Sequence, residues 1–130
     1  MSKITNPFVK QPGYNCFGCS PDNKFGLKLS FVEEGEEVIA HWLPQPQFQG
    51  WNNTLHGGIQ TTLLDEIASW LVFVKLNTSG VTSRMEVKLR KPVAMDQGAL
   101  ILKARLREMK RNIAVIDTWL YSHQMELLTE

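Results

Sequence analysis

The sequence predicts an α+β fold in which one antiparallel sheet wraps around one long helix. A single long, mainly apolar stretch begins at His56 and runs to Leu76. Short stretches of alternating apolar and polar residues, which are typical of half-buried strands, lie on both sides of it. Strands, then one helix, then further strands is the order of an α+β domain.

Length and charge limit the classes of protein to be considered. The 130 residues suit one compact domain, residues 1–130, and prolines and glycines make residues 1–23 an irregular N-terminal arm. The net charge of +1 gives no reason to expect nucleic-acid binding. The N-terminus lacks the apolar core of a secretory signal, and acids interrupt the helix. We therefore expect a cytoplasmic protein with no membrane partner.

Gly57 and Gly58 open the helix, where they allow close backbone approach and leave unpaired N–H groups. Apolar residues occur nearly all round it, which predicts burial on every side. An advance of about 100° per residue separates a bulky stripe from a face of small residues. The bulky stripe consists of Leu63, Ile67, Trp70 and Val74. Asp65 lies on the small face, and Glu66 flanks the bulky stripe. A carboxylate on the small face needs a partner if it is buried, and a hydroxyl or backbone donor would suffice.

Alternation also predicts the strands. They are residues 25–32, 37–43, 81–93, 99–109 and 112–123. In the third of these, Ser83 falls on the apolar side that faces the helix. Only residues 125–130 remain for a last, shortened strand, so the sheet has about five or six strands.

Cys16 and Cys19 form a single C-x-x-C pair. Such a pair can be half of a zinc site, a redox pair or two ordinary thiols. No second pair follows, and neither His41 nor His56 has a ligand-like spacing. We therefore expect ordinary thiols, no bound metal and no cofactor, with a metal site and a redox pair as the alternatives.

The string Leu55-His56-Gly57-Gly58, with an acid nine positions after the histidine, resembles the hotdog-fold acyl-CoA thioesterases. The phenylacetic-acid-degradation type is the most similar group. Three other stretches resemble it too: Gln49-Gly50-Trp51, Cys16-Phe17-Gly18-Cys19 and Leu89-Arg90-Lys91-Pro92-Val93. The resemblance implies a curved sheet around a central helix, edge-to-edge homodimers with active sites at the interface, and tetramers made of paired dimers.

Carried over residue by residue, the resemblance assigns roles to the site residues. Asp65 is the general base or nucleophile, and the Gly57 N–H polarises the thioester carbonyl. His56 shapes the loop, Gly58 takes part in substrate binding, and Ser83, from the partner chain, places the water or the carboxylate. In the approach loop, where the family usually has a polar residue at Phe48 or Gly50, Gln49 is the substitute.

The chemistry of these residues agrees with the resemblance. Free N–H groups at a helix start stabilise charge on a carbonyl oxygen, and a nearby carboxylate can deprotonate water. Glu66 is the rival base, but it lies on the bulky flank. Four basic residues at strand ends or turns are either an ordinary solvated surface or contacts for the phosphates of coenzyme A. They are Arg90, Lys91, Lys110 and Arg111.

We therefore predict a hydrolase of acyl-CoA thioesters. The aromatic residues expected to hold an apolar or aromatic acyl group are Phe48, Trp51, Trp70 and Phe73. The main alternative is a non-catalytic acyl-CoA or fatty-acyl binding domain of the same fold, in which Asp65 serves structure. A hotdog hydratase is a third class, but its usual pairing of His and Asp is not visible in the sequence.

Overall fold

The computed structural model describes residues 2–130 as one six-stranded sheet and one long helix. The elements are β1 (Ser2–Lys3), β2 (Val32–Glu34), β3 (Glu37–Trp42), a 3-10 turn (Pro46–Phe48), α1 (Gly57–Leu76), β4 (Leu100–Lys110), β5 (Ile113–Tyr121) and β6 (Leu127–Thr129). All neighbouring strands are antiparallel, in the order β1-β2-β3-β4-β5-β6. The predicted α+β fold, an antiparallel sheet of about five or six strands with one long central helix, is confirmed.

The core lies between α1 and the central strands β3, β4 and β5. Ala40, Leu102 and Leu120 are registered partners on these three strands, and all are buried. Because side chains alternate across a strand, this row faces the helix while its neighbours face outward. Burying each leucine contributes about 1.5–3 kcal/mol. The helix is therefore fixed mainly by its apolar contact with the sheet.

The prediction that the helix is buried on every side is wrong. Its buried residues are Gln60, Leu63, Leu64, Ile67, Trp70 and Leu71. On the opposite side, the small residues around Asp65 are only half-buried. The sheet of one chain covers one side of a helix, and nothing among residues 2–130 covers the other completely.

No helix within residues 2–130 is long and apolar enough to cross a membrane.

The predicted strand over residues 25–32 is also wrong, although part of its burial pattern is correct. Leu27, Leu29 and Phe31 are buried and alternate with exposed residues, but Phe25 is 77% exposed. Lys28 has a left-handed backbone (φ 55°), which interrupts the extended conformation. The N–H groups of Leu27 and Leu29 bond to the N-terminal arm, so ladder pairing begins only at Val32.

The long strand predicted over residues 81–93 does not form within this chain. We call residues 81–91 the edge segment. Its last part pairs with β6: Lys88 exchanges two backbone hydrogen bonds with Glu130, and the Arg90 N–H donates to the Leu128 carbonyl at 3.0 Å. Residues 81–86 are exposed and have no backbone partner among residues 2–130. A strand needs a neighbour, and this chain provides one for only part of the segment.

The final strand is short, as expected, and it is tied to the helix by a buried polar contact. The Thr129 hydroxyl donates to the Gln60 side-chain oxygen at 2.6 Å, and the Gln60 amide donates to the Leu55 carbonyl at 3.0 Å. Buried polar groups are tolerated when they are hydrogen-bonded in this way. The contact fixes the start of α1 against the end of the sheet.

Candidate active site

His56 is the N-cap of α1, and it leaves one helical amide free. Its Nδ1 accepts a hydrogen bond from the Gly58 N–H at 2.9 Å, and its carbonyl accepts from Ile59 and Gln60. A Cβ at Gly58 would lie 3.0 Å from the imidazole, so glycine suits this cap. The Gly57 N–H has no acceptor among residues 2–130. His56 therefore shapes the helix start, and Gly57 keeps the unpaired donor.

Gly57 borders a cleft of about 440 Å³ at the helix start. The lining residues are Gly50, Trp51, Thr54, Leu55, His56 and Gly57. Leu89 of the edge segment packs closely here, because a Cβ on Gly57 would lie 3.3 Å from its side chain. The helix macrodipole places partial positive charge at this end. A free N–H beside an open cleft is a suitable donor for negative charge that develops on a carbonyl oxygen.

Asp65 lies on the half-buried side of α1, where the Thr82 hydroxyl donates to its Oδ1. The predicted residue, Ser83, is exposed on the same edge segment. Alternation had placed Ser83 on the helix side, but residues 81–86 are unpaired here, and the contact falls one residue earlier. Within one chain the expected helix contact of Ser83 is therefore wrong, and its expected role from the partner chain stays a prediction.

Gly57 and Asp65 cannot act on the same carbonyl group from one chain. They are eight residues apart on one helix, which at about 1.5 Å per residue separates them by about 12 Å along the axis. A polarising N–H and an attacking water must both lie within about 3.5 Å of the reacting carbonyl. A single chain therefore contains both groups but not one complete site.

Glu66, the rival acid, faces the N-terminal arm instead. Its Oε1 accepts a hydrogen bond from the Cys16 thiol, with an S–O distance of 3.3 Å. The carboxyl group packs against Gly18, because a Cβ on that residue would lie only 2.4 Å from the Glu66 Cδ. The two neighbouring acids therefore contact different elements, and only Asp65 faces the edge segment.

An apolar cleft of about 250 Å³ lies between the arm and the C-terminal half of the helix. It is lined by Phe8, Tyr14, Cys19, Ser69, Trp70, Phe73, Ser79 and Gly80. Two of the four predicted acyl-binding aromatics, Trp70 and Phe73, therefore line it. Phe48 is instead buried against Trp42, with ring centroids 5.6 Å apart, and Trp51 is 88% exposed at the other cleft.

Two protonated groups border the apolar cleft. Burial raises the pKa of the Cys19 thiol well above its usual range, and burial likewise raises the pKa of the Tyr14 phenol. The two groups are hydrogen-bonded to each other at 2.8 Å. Both are therefore neutral at pH 7, and Cys19 does not provide a thiolate nucleophile.

Gln49 stabilises the loop before the helix. Its side-chain oxygen accepts from the Asn53 N–H at 3.2 Å. Asn53 has a left-handed backbone (φ 55°), which asparagine tolerates better than most residues. The Asn53 amide donates to Asp96 at 3.2 Å and lowers the pKa of that carboxyl group. A direct contact of Gln49 with substrate stays a prediction.

The four basic residues do not form one cluster within the chain. Arg90 pairs with Glu130, and Lys91 pairs with Glu126 at 2.6 Å. This pair lies beside the end of β5 that contacts β6, whereas Lys110 and Arg111 lie at the other end. Nine residues of strand separate the two ends by about 26 Å. One phosphate cluster cannot bind both pairs of the same chain.

Comparison with known proteins gives a family match. Residues 52–128 match the family model of the thioesterase superfamily. No curated protein sequence matches the chain significantly. The match covers the helix, the edge segment, β4, β5 and most of β6, including Gly57 and Asp65.

Solved structures share the fold at low identity. A thioesterase superfamily protein has a TM-score of 0.80 and 15% identity over 88% of this chain, which spans only 56% of that protein. The Escherichia coli PaaI protein from the phenylacetic acid degradation operon has a TM-score of 0.71 and 17% identity, over 79% of this chain and 78% of that one. A Streptococcus mutans protein bound to acetyl-CoA has a TM-score of 0.69 and 21% identity, over 78% and 81%. These likenesses establish the hotdog fold, and PaaI is one of several comparable structures.

Proposed function

Because the chain belongs to the thioesterase superfamily, we propose that it hydrolyses acyl-CoA thioesters to a free acid and coenzyme A, and that it does so as a homodimer. The observation that carries the proposal is the unpaired Gly57 N–H at the positive end of α1, beside an open cleft. The acetyl-CoA in the Streptococcus mutans neighbour supports the choice of carrier.

The proposed reaction uses two groups of the protein. The thioester carbonyl oxygen accepts a hydrogen bond from the Gly57 N–H, which stabilises the charge that develops there. The Asp65 carboxylate takes a proton from water as the water oxygen bonds to the carbonyl carbon. The tetrahedral intermediate then collapses, the carbon–sulfur bond breaks, and the coenzyme A thiolate receives the proton held by Asp65. Direct attack by Asp65, followed by hydrolysis of the anhydride, uses the same groups.

The separation of about 12 Å between Gly57 and Asp65 along one helix supports a site to which each of two chains contributes one of them. In this arrangement Gly57 of one subunit faces Asp65 of the partner subunit. The edge segment supplies a surface for pairing, because unpaired strand edges readily add another strand. Val81 is 96% exposed there, and Met85 and Leu89 are also exposed. Two dimers can pair further into a tetramer.

The remaining predicted residues take supporting roles. The Thr82 hydroxyl orients the Asp65 carboxylate, and His56 holds the helix start through Gly58. In the proposed site, Ser83 of the partner subunit helps to position the water or the carboxylate, and Gln49 supplies the polar group of the approach loop. The apolar cleft begins at Ser69, one helical turn beyond Asp65, and suits a small apolar or aromatic acyl group.

An acyl-CoA binding domain without turnover is the second candidate. The observation that favours it is the hydrogen bond from Thr82 to Asp65, which would also satisfy a purely structural acid.

Replacement of the base separates the two functions. Asp65→Asn keeps the shape of the side chain but removes the base, so turnover should fall by about 10²–10⁴-fold with stability and dimerisation nearly unchanged. The matched control is Glu66→Gln, which should cost far less, because Glu66 faces the arm. Rates would be measured over a panel of acyl-CoAs. Loss of activity in Glu66→Gln alone would make Glu66 the base. Binding of acyl-CoAs by a wild type that hydrolyses none would establish the binding domain.

A further inference from the structure

We propose that Cys16, Cys19 and Glu66 form a binding site for a zinc-type divalent cation. One ligand atom from each residue, the two Sγ atoms and a Glu66 carboxylate oxygen, lie within 4.8 Å of one another. From the sequence alone, a single pair of cysteines predicts no bound metal, because the pair supplies only two ligands. The third ligand comes from the helix, fifty residues after Cys16. The site is independent of the proposed thioester hydrolysis.

The loop that carries the cysteines is held by backbone hydrogen bonds. The Ser20 N–H donates to the Cys16 carbonyl at 3.0 Å, and two further bonds join Phe17 and Gly18 to Leu27 and Leu29 at 2.8 and 2.9 Å. Both leucines are buried. The C-x-x-C spacing within such a loop is that of a zinc half-site. The two sulfur atoms are therefore positioned before any cation binds.

Glu66 stands at the distance that a third ligand requires. Its Oε1 lies 3.3 Å from the Cys16 Sγ. In a tetrahedral zinc site, with Zn–S of about 2.3 Å and Zn–O of about 2.0 Å, sulfur and oxygen ligands are about 3.5 Å apart. The carboxyl group reaches this position only because Gly18 has no side chain, since a Cβ there would lie 2.4 Å from the Glu66 Cδ. The loop is thus shaped to admit the carboxylate.

Neighbouring polar groups provide the support that metal ligands usually have. The Tyr14 hydroxyl lies 2.8 Å from the Cys19 Sγ, and the Asn6 amide donates to that hydroxyl at 3.0 Å. Such outer contacts orient ligands and raise the affinity for the metal. A water molecule can take the fourth position.

The ligand set selects the class of cation. Two thiolates and one carboxylate suit zinc, which is borderline-soft and prefers four ligands. Calcium and magnesium prefer oxygen ligands, and iron–sulfur clusters are usually held by four cysteines. Binding would release the protons of the two thiols. The bound cation would fasten the N-terminal arm to α1 at the residue next to Asp65.

Direct metal titration tests the site. The full-length protein is reduced, stripped with a chelator and titrated with Zn²⁺ against a chromophoric competitor. We expect one Zn²⁺ per chain, and with Co²⁺ we expect the thiolate-to-cobalt charge-transfer bands of a tetrahedral site. Cys16→Ser and Glu66→Gln should each weaken binding by at least about 10–100-fold, the cost typical of losing even an outer-shell partner. Circular dichroism of each variant verifies folding.

Two further variants make the test specific. Gly18→Ala keeps all three ligands but displaces the Glu66 carboxyl group, so it should also weaken binding. Asp65→Asn removes the neighbouring acid and should leave the affinity unchanged. Substoichiometric zinc in the wild type, or wild-type affinity in Cys16→Ser, would overturn the site. Wild-type affinity in both Glu66→Gln and Gly18→Ala would also overturn it, because the carboxylate would then not be a ligand.

Discussion

β4 and the edge segment have the same alternating pattern of apolar and polar residues, but they differ in strand pairing and in burial. β4 is paired with β3 on one side and with β5 on the other, and its inward residues Leu102 and Ala104 are fully buried. The edge segment pairs with β6 only near Lys88 and Arg90, and Val81 at its other end is 96% exposed. Alternation therefore determines which face of a strand is apolar, but it does not provide the neighbour.

The unpaired part of the edge segment lies next to two other incomplete features of the chain, the half-covered side of α1 and the incomplete site. It lies beside the half-buried side of α1, where Thr82 contacts Asp65. That is also the side whose acid, Asp65, is separated from Gly57 by about 12 Å along the helix axis. A second copy of the chain could cover the helix, extend the sheet and complete the site at once, whereas β4 needs none of these.

The largest expected effect is the rescue of activity between two inactive variants. Gly57→Pro removes the N–H at the first helical position, where proline is favoured. His56 already has a ψ of 130°, within the range that a residue before proline favours. Asp65→Asn removes the base. Each variant alone should lose about 10²–10⁴-fold in turnover. Subunit exchange between them should restore activity to about a quarter of the wild-type rate, because half of the dimers are mixed and each mixed dimer has one intact site.

The same mixing experiment contradicts the shared site if no activity returns. A site within one chain would leave every subunit of the mixture inactive. Exchange would be verified by mass spectrometry of differently tagged subunits, and the wild type mixed with each variant is the control. Recovery above the sum of the two separate variants is the decisive measurement.

The sequence predicted the elements that depend on local patterns. The start of α1 at two glycines, and the strands β3, β4 and β5, follow from periodicity and turn residues within a few positions. The contacts of the site join distant residues instead: Thr82 lies 17 positions after Asp65, and Glu66 lies 50 after Cys16. Only Gly18, between the two cysteines, was a local sign that another group approaches the loop.

The next effect concerns assembly through the edge segment. Val81→Lys should raise the dissociation constant of the dimer by about 10²-fold. About 1.5 kcal/mol of apolar burial is lost in each chain, and both chains of a symmetric interface lose it. The folding of a single chain should be unaffected, since Val81 makes little contact within it. Analytical ultracentrifugation over a range of protein concentrations measures the change.

Ile113→Lys is the matched control for Val81→Lys. Ile113 is also exposed, but it lies at the hairpin between β4 and β5, away from the edge segment. It should leave the dimer unchanged. Equal dissociation of both variants would mean that the added charge, rather than its place on the edge segment, controls assembly. A wild type that is monomeric at micromolar concentration would contradict the shared-site model.

The smallest expected effect lies at the paired end of the edge segment. Arg90 and Lys91 form exposed ion pairs with acids near the C-terminus, and such pairs contribute about 0–1 kcal/mol, so a phosphate can replace them. If they contact coenzyme A, the double change to alanine should raise KM for acyl-CoA by about tenfold, near the lower range for charge-assisted hydrogen bonds. KM for a short thioester without the nucleotide should stay the same.

The control is the double change of Lys110 and Arg111 to alanine, about 26 Å away at the other end of β5. A selective rise in KM for acyl-CoA in the control alone would place the nucleotide at the hairpin. Equal effects on both substrates would exclude a phosphate contact at Arg90 and Lys91.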